Sequence, residues 1–454
     1  MLKIIINKKS CLLFVILFCT VSYALDAQGE KMLSDSITID ECLGYAMKHQ
    51  PLVKQLRLDE EISNQNVKIA LSEWLPQINS SASYQHYLKQ PVSIFPDLSN
   101  PTGTKIPVTT SVINNSSVQF NASQNIFTND LYFAGRTARY YRQQAKQTTR
   151  KELVQLVVDI SKAFYDVLLS EQMLNIIDED IARLSRSLND AYSLFKNGST
   201  DRIDYNRATI SLNNVRSQRI SVINSIVSKL SYLKQLMGYP DNKPLALIYD
   251  FNSMKKDILI DTLQNISYND RIEYQLLQTN IRLQKLSINY YKQSLIPSLS
   301  GFANYNIIYQ NDNLASLYSR SFPNSAAGLT LSFPIFEGTS RLQNIKKSKL
   351  SYERMVLDTI NLKNEMSTGY IQALSSYKSN LAVYKMSQKN IEIAGDVYNN
   401  VMFQYNEGIK TYLEVIISET DLLTAQINNL SALISLMYSK IDVQQALGNI
   451  SVNY

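Results

Sequence analysis

Residues 406–425 read NEGIKTYLEVIISETDLLTA, and residues 196–215 read KNGSTDRIDYNRATISLNNV. In each, a glycine (Gly408, Gly198) precedes an acid (Glu414, Asp204) by six positions and divides two long stretches without proline. The two glycines lie 210 residues apart, and QLMG at 235–238 falls on QALG at 445–448 at the same offset. A period this long marks a duplicated domain, not a solenoid.

The duplication extends upstream. WLPQINSSASYQ from Trp74 matches LIPSLSGFANYN from Leu295, with Pro76 over Pro297, and QNIF at 124–127 falls on FPIF at 333–336. The halves run over 38–240 and 257–448, joined by a linker at 241–256. The offset changes between the strand pairs, so the first half carries the longer loop, at about 89–112. Its four prolines leave a lid role open.

Each half reads helix, strand pair, long helix, turn, long helix. Thr38-Ile39-Asp40-Glu41 is a helix start, and Pro51 bends the helix it opens. Then the period becomes two. Ile78, Ala82, Tyr84 and Leu88 alternate with Asn79, Ser81, Ser83 and Gln85. Val118, Phe120 and Ala122 alternate with Gln119, Asn121 and Ser123. The second half repeats this with Leu299, Ala303, Tyr305 and Ile307, then Ala327, Leu329, Leu331 and Phe333. Strands are predicted at about 78–89, 117–126, 298–309 and 326–334. About 10 residues suits a tilted strand in an outer-membrane barrel; a half-buried sheet in a soluble protein shows the same alternation.

Long helices are predicted at 128–196, 201–237, 340–405 and 411–447. In the first, Leu153, Val157, Ile160, Phe164, Val167, Leu174, Ile177, Ile181, Leu184 and Leu188 recur at three and four. Some 65 residues make a rod of about 100 Å. Such rods need a partner along their length. Each half therefore closes as an antiparallel hairpin, its tip glycine taking the left-handed conformation that ends a helix.

The composition, 45% hydrophobic and 19% charged over 454 residues, is that of a folded chain. Lys3, Lys8 and Lys9, an apolar run at 11–21 and SYA at 22–24 read as a signal peptide over 1–24. LDA at 25–27 is the second cleavage choice, and lipidation at Cys19 is disfavoured by Phe18 before it. Removing 1–24 lowers the formal charge from +6 to +3 and leaves Cys42 alone, so no internal disulfide is expected. No later apolar run reaches the length of a spanning helix.

Four strands do not close a barrel, and lipid tolerates no open strand edge. If these strands enter a membrane, several copies share one barrel; three copies supply twelve strands and six helical hairpins.

In this order and spacing the chain resembles the TolC-type outer-membrane efflux channels. The resemblance rests on TIDECLGYAMKHQPLV at 38–53, Pro76 and Pro297 opening strands, PIFEG at 334–338 before a long helix, the two tip motifs, and the paired LMG and ALG endings. It covers nearly all of the mature chain. It implies a mainly helical fold with a small β part: a homotrimeric 12-stranded barrel in outer-membrane lipid, continued by an α-helical tunnel in the periplasm of a diderm bacterium. It implies the outer-membrane component of a tripartite efflux or secretion system, with a periplasmic adaptor (membrane fusion) protein and an inner-membrane pump of the RND or ABC type as partners. Carried onto these residues, it places adaptor docking at Gly198, Ser199, Thr200 and Ile203 and at Gly408, Ile409, Lys410 and Leu413. It places the periplasmic gate at Asp204, Lys410 and Glu414, Lys410 as a latch and Glu414 narrowing the lumen. Three Glu414 carboxylates in a wet pore would favour cations and repel one another. The first tip departs from the family pattern in carrying Ser199 and Ile203, which weakens the docking expectation there.

Enzyme chemistry finds no footing. His49 and His86 have no metal-ligand spacing to Cys42 or to an acid cluster, and no phosphate-cradling glycine loop occurs. No catalytic residue, cofactor or metal is expected. The basic stretches 136–151 and 341–350 follow the strands and read as solvated helix faces near the membrane boundary or as tunnel lining. Nucleic-acid binding is disfavoured by export and the small mature charge. Trp74, Tyr140-Tyr141 and Tyr290-Tyr291 fit an interfacial belt or helix packing equally. The rival from another class is a soluble secreted coiled-coil protein, structural or adhesive. A diffusion porin does not need such long helices.

Overall fold

The computed structural model describes residues 36–96, 105–248 and 258–452. The signal peptide, the end of the 241–256 linker and the tip of the 89–112 loop lie outside the described residues. The helices are α1 (Ile39–His49), α2 (Pro51–Ser72), α3 (Asn129–Lys196), α4 (Arg202–Met237), α5 (Ile272–Lys292), α6 (Ser340–Asn406) and α7 (Tyr412–Leu447). The strands are β1 (Ser36–Ile37), β2 (Gln77–His86), β3 (Val92–Pro96), β4 (Lys105–Thr109), β5 (Asn114–Phe127), β6 (Ala246–Leu247), β7 (Ser298–Asn311) and β8 (Ser321–Ser332).

α1 begins with a capping box. Glu41 N–H donates to Thr38 Oγ1 at 3.4 Å, and Thr38 N–H donates to Glu41 Oε2 at 2.8 Å. Cys42, Leu43, Ala46 and Met47 form its buried face. Pro51 then stands at the first position of α2, where its missing N–H costs nothing.

The sheet order is β2-β5-β7-β8, all antiparallel. The register sets Ile78 beside Ala122, Ala122 beside Ala303 and Ala303 beside Ala327. Likewise Ala82 lies beside Val118, and Val118 beside Ile307. Most apolar positions of the four strands thus fall on one face; Phe302, Ile308 and Phe322 are exceptions on the other. Asn79, Asn121 and Asn304, and Ser81, Gln119 and Asn306, line the other. Polar side chains bond along that second face: Asn121 Nδ2 donates to Asn79 Oδ1 at 3.3 Å and Asn306 Nδ2 to Asn324 Oδ1 at 3.0 Å. Among the described residues no long helix covers the apolar face: Tyr318 of a short helical turn packs on Tyr309 at its rim, and Ile78 and Leu329 are 76% and 70% exposed. Trp74, Leu75, Leu295, Phe333, Ile335 and Phe336 add an exposed apolar fringe at the strand–helix junctions.

Three strands extend beyond the expected bounds, because the alternation is replaced at the outer rim by a polar knot. Asn114, 2% exposed, accepts from Tyr84 Oη and His86 Nδ1 at 2.8 Å each and donates to the Asn311 and Asp312 carbonyls. Two strands end early instead. β2 stops at His86, and β8 stops at Ser332, before Pro334. The 89–112 loop carries an unexpected hairpin, β3 paired with β4. Its Ile94 and Ile106 are exposed.

Below the sheet the helices form a wall one layer thick. α2, α3, α5 and α6 stand side by side in the upper part; α4, α3, α7 and α6 do so in the lower part. Sheet and wall thus have four members at each level and two open edges. β2, α2 and α4 lie on one edge, β8 and α6 on the other. Exposed aliphatics run along both helical edges: Ile203, Ile210, Ile220 and Val227 on α4, Leu357, Ile360, Met386 and Ile393 on α6.

The main core lies where α1, the β1–β6 pair and the segment 258–266 overlie the wall, around Phe164, Leu169, Leu233, Tyr377 and Leu433. Tyr370, Tyr377 and Tyr384, spaced by seven, point into this layer from α6. Tyr377 Oη donates to Ile258 O at 2.9 Å and accepts from Ile260 N–H at 3.2 Å, while Tyr370 Oη donates to Gln264 O at 2.5 Å. Each half ends by docking on its own beginning. Gly238 (φ 67°) closes α4 against Gln50, whose Nε2 donates to Gln235 O and Leu236 O. Gly448 (φ 77°) closes α7 against Asp270 and Arg271, whose Nη1 donates to Ala446 O.

A Cβ on Gly238 would stand 2.8 Å from Gln50 Cα, whereas one on Gly198 would meet only open space. Gly198→Ala therefore costs the left-handed backbone alone, about 1 kcal/mol. Gly238→Ala adds a backbone overlap, so thermal unfolding of the purified protein should fall several degrees further for Gly238→Ala than for Gly198→Ala.

Candidate functional site

The two hairpin tips share a backbone and differ in their side chains. At the first, Gly198 (φ 74°) N–H bonds Phe195 O at 3.0 Å and Ser199 N–H bonds Leu194 O at 2.9 Å. At the second, Gly408 (φ 74°) N–H bonds Tyr405 O at 2.9 Å and Ile409 N–H bonds Gln404 O at 2.8 Å. Both end their helices as Schellman turns, a geometry that glycine adopts without strain.

The helices restart differently. Thr411 and Glu414 make a capping box: Glu414 N–H donates to Thr411 Oγ1 at 3.4 Å, and Thr411 N–H to Glu414 Oε2 at 2.9 Å. Lys410 Nζ donates to the other carboxylate oxygen at 2.5 Å. The Lys410 bond and the Thr411 N–H bond hold the Glu414 carboxyl well below its ordinary range, at about 2. At the first tip Asp201 caps α4 without a side-chain bond, and Asp204, one methylene shorter, stands where Glu414 does. Thr200 Oγ1, in the place of Lys410 Nζ, has no partner.

Gly198, Ser199, Ile203, Gly408, Ile409 and Leu413 are exposed; Thr200, Asp204, Lys410 and Glu414 are half-buried. Ile409 is the most open large apolar residue at the tips, at 71%. Behind them Ala191, Ala208, Tyr412 and Val415 form a small core joining the two hairpins. Tyr405 is brought near Asp204 of the other hairpin; burial first, then Asp204 and Asp190, raise its hydroxyl.

The expected gate residues thus lie at one end of the molecule. Lys410 engages the Glu414 of its own chain, four residues on, so that carboxylate already carries a counter-charge. The sequence reading also missed Asp180 and Glu419, two buried carboxylates behind the tips. Their only signal was an acid at an otherwise inward-facing helical position. His86 lies at the outer strand rim, bonded to Asn114. Tyr290 packs between Phe133 and Tyr291, and Trp74 is exposed at the base of the sheet.

An open four-strand sheet with an uncovered apolar face, continued by a one-layer wall of long helices, defines an outer-membrane channel subunit. The family model described as outer membrane efflux protein matches residues 43–239 and 273–449, so the chain belongs to that family. The outer membrane protein TolC of Vibrio cholerae is 21% identical over 450 residues, 95% of this chain and 94% of that protein. Among solved structures, the CusC channel superposes with a TM-score of 0.71 at 15% identity, covering 90% of this chain and 91% of its own. The Campylobacter jejuni CmeC outer membrane channel superposes with a TM-score of 0.70 at 16% identity, covering 90% and 85%. The protein is the outer-membrane channel component of a tripartite efflux system, its barrel in the outer membrane and its helical tunnel in the periplasm.

Only the second tip has a built cap. Thr411→Ala should destabilise the start of α7 by about 1 kcal/mol, and Asp201→Ala the start of α4 by clearly less. Amide exchange of residues 411–416 and 201–206 distinguishes the two; equal loss of protection would contradict the asymmetry.

Proposed function

We propose that three copies of this chain assemble into one passive exit duct, docked through its hairpin tips to a periplasmic adaptor protein and supplied by an inner-membrane pump. The observation that carries the proposal is the matched incompleteness of each layer. Sheet and wall end on unsatisfied edges along the same two sides, and a cyclic arrangement pairs β8 and α6 of one copy with β2, α2 and α4 of the next. The polar sheet face then lines the lumen. The rival soluble coiled-coil protein leaves the apolar sheet face without a covering layer.

Docking is assigned to Gly198, Ser199, Thr200 and Ile203 and to Gly408, Ile409, Lys410 and Leu413, with the second tip dominant. Its exposed Leu413 stands on a helix start with a capping box and its exposed Ile409 in the turn before it, whereas the first tip offers Ser199 and Ile203 around a helix start without a side-chain cap. Asp204, Lys410 and Glu414 stand at the entrance. The Lys410–Glu414 pair removes most of the cation preference that bare carboxylates would impose. Glu414 is ionised well below its ordinary pKa of 4.5, so its bonds are intact at any pH above that value and are lost only as pH falls towards about 2. This pair is a permanent brace, not a proton switch. The pump, of the RND or ABC type, supplies the energy.

Deletion of residues 406–412 should abolish efflux in a host without a redundant channel, while detergent extracts of the outer membrane still yield heat-labile trimers. Unchanged solute accumulation would refute the docking assignment, and a monomer soluble without detergent would refute the duct.

A further inference from the structure

About 10 Å into α7 from its tip, Glu419 faces α3. It is 2% exposed, and Asp180 opposite it is 1% exposed; they are the only carboxylates among the described residues buried to this degree. One guanidinium serves both. Arg183 Nη2 donates to Asp180 Oδ1 at 2.7 Å, but Arg183 Nε stands 3.6 Å from Glu419 Oε1, beyond hydrogen-bond reach. Both Glu419 oxygens and Arg183 Nε lack a hydrogen-bond partner. Arg186 on α3 and the hydroxyls of Tyr398 on α6 and Tyr412 on α7 are the further titratable groups that act on or respond to it. An ionised carboxylate so placed is dehydrated with only partial compensation from Arg183 and Arg186, whereas a protonated one has no charge to dehydrate.

We propose that Asp180, Arg183 and Glu419 form a proton-binding clasp between α3 and α7, closed when Glu419 is protonated and loosened when it ionises, so that parting of the two hairpins at the periplasmic mouth depends on pH. The inference rests on the duct reading, since it assigns a regulator to that mouth.

Burial pushes Glu419 up to about 7; Asp180 adds to the shift, while Arg183 and Arg186 oppose it. Burial also raises Asp180 against the pull of Arg183. The folded chain therefore holds the Glu419 proton to a higher pH than the unfolded chain, whose carboxyl titrates near 4.5. The contact between α3 and α7 is at full strength below that value and weakens as pH climbs through about 7. Glu414, five residues earlier on α7, responds in the opposite sense and far from neutrality.

The test is amide exchange of the full chain in lipid nanodiscs, at about pH 5.5 and about pH 8, corrected for intrinsic rates. In the wild type, protection over 176–190 and 412–423 should drop about tenfold at the higher pH. Glu419→Gln, a neutral isostere, should keep its low-pH protection at both. Asp180→Asn, which removes the neighbouring charge and frees Arg183 for Glu419, should move the midpoint down by about one pH unit. A wild type whose protection ignores pH overturns the clasp, as does a Glu419→Gln protein with the wild-type profile. If Glu419→Gln does not fold, the Asp180→Asn midpoint decides, and an unmoved midpoint overturns the clasp. Conductance of the same samples in planar bilayers separates the two proposals. Conducting trimers with an unaltered pH profile in the variants refute the clasp alone. The expected exchange pattern in a chain that forms no conducting trimer refutes the duct alone.

Discussion

Everything in this protein follows from one unsatisfied requirement: the outer strands β2 and β8 carry outward backbone N–H and C=O groups that pair with no other strand among the described residues. In water such edges invite aggregation; in hydrocarbon each orphaned group costs several kcal/mol. The apolar face formed by Ile78, Ala122, Ala303 and Ala327 commits the sheet to lipid. A four-strand stave that lipid must surround is stable only when copies of itself complete the ring.

The helices inherit this geometry. Because each strand runs directly into a wall helix, the open edges of the sheet continue downward as open edges of the wall. α6 is the clearest case. Its buried residues are few and include the tyrosines at 370, 377 and 384, which anchor the outer layer, while its aliphatic edge faces away from its own chain. The two halves stay in register because each closing glycine docks on the start of its own half, Gly238 on Gln50 and Gly448 on Asp270. Duplication thus supplies two equivalent struts, and the outer layer ties them into one wall.

Duplication does not make the struts identical in use. The tips share φ values and turn hydrogen bonds, yet only the second has a capping box, a lysine brace and an aliphatic pair on its rim. Behind it, Glu419 reaches a guanidinium already engaged by Asp180. Charge is therefore compensated at the solvent-facing tip and under-compensated in the interior, which is where a single proton has most leverage on helix packing.

Much of this was written in local pattern. Period two marked the strands, period three to four marked the rods, and Gly198 and Gly408 marked the tips, because each pattern reflects the backbone repeat of a single element. The strand ends were less legible: Asn114 and Ser321 lie beyond the alternation, in a rim whose polar bonds form only once the strands are side by side. The same limit hid the finer chemistry. That Lys410 would brace its own Glu414, that Tyr377 would hold Ile258, or that Asp180 would meet Glu419 across 239 positions depends on which faces of distant helices touch. Local residue pattern carried the elements, their duplication and the main polarity of each face. Packing settled which buried polar groups found partners, since hydrogen-bond satisfaction and desolvation are properties of the packed environment rather than of any residue's place in a repeat.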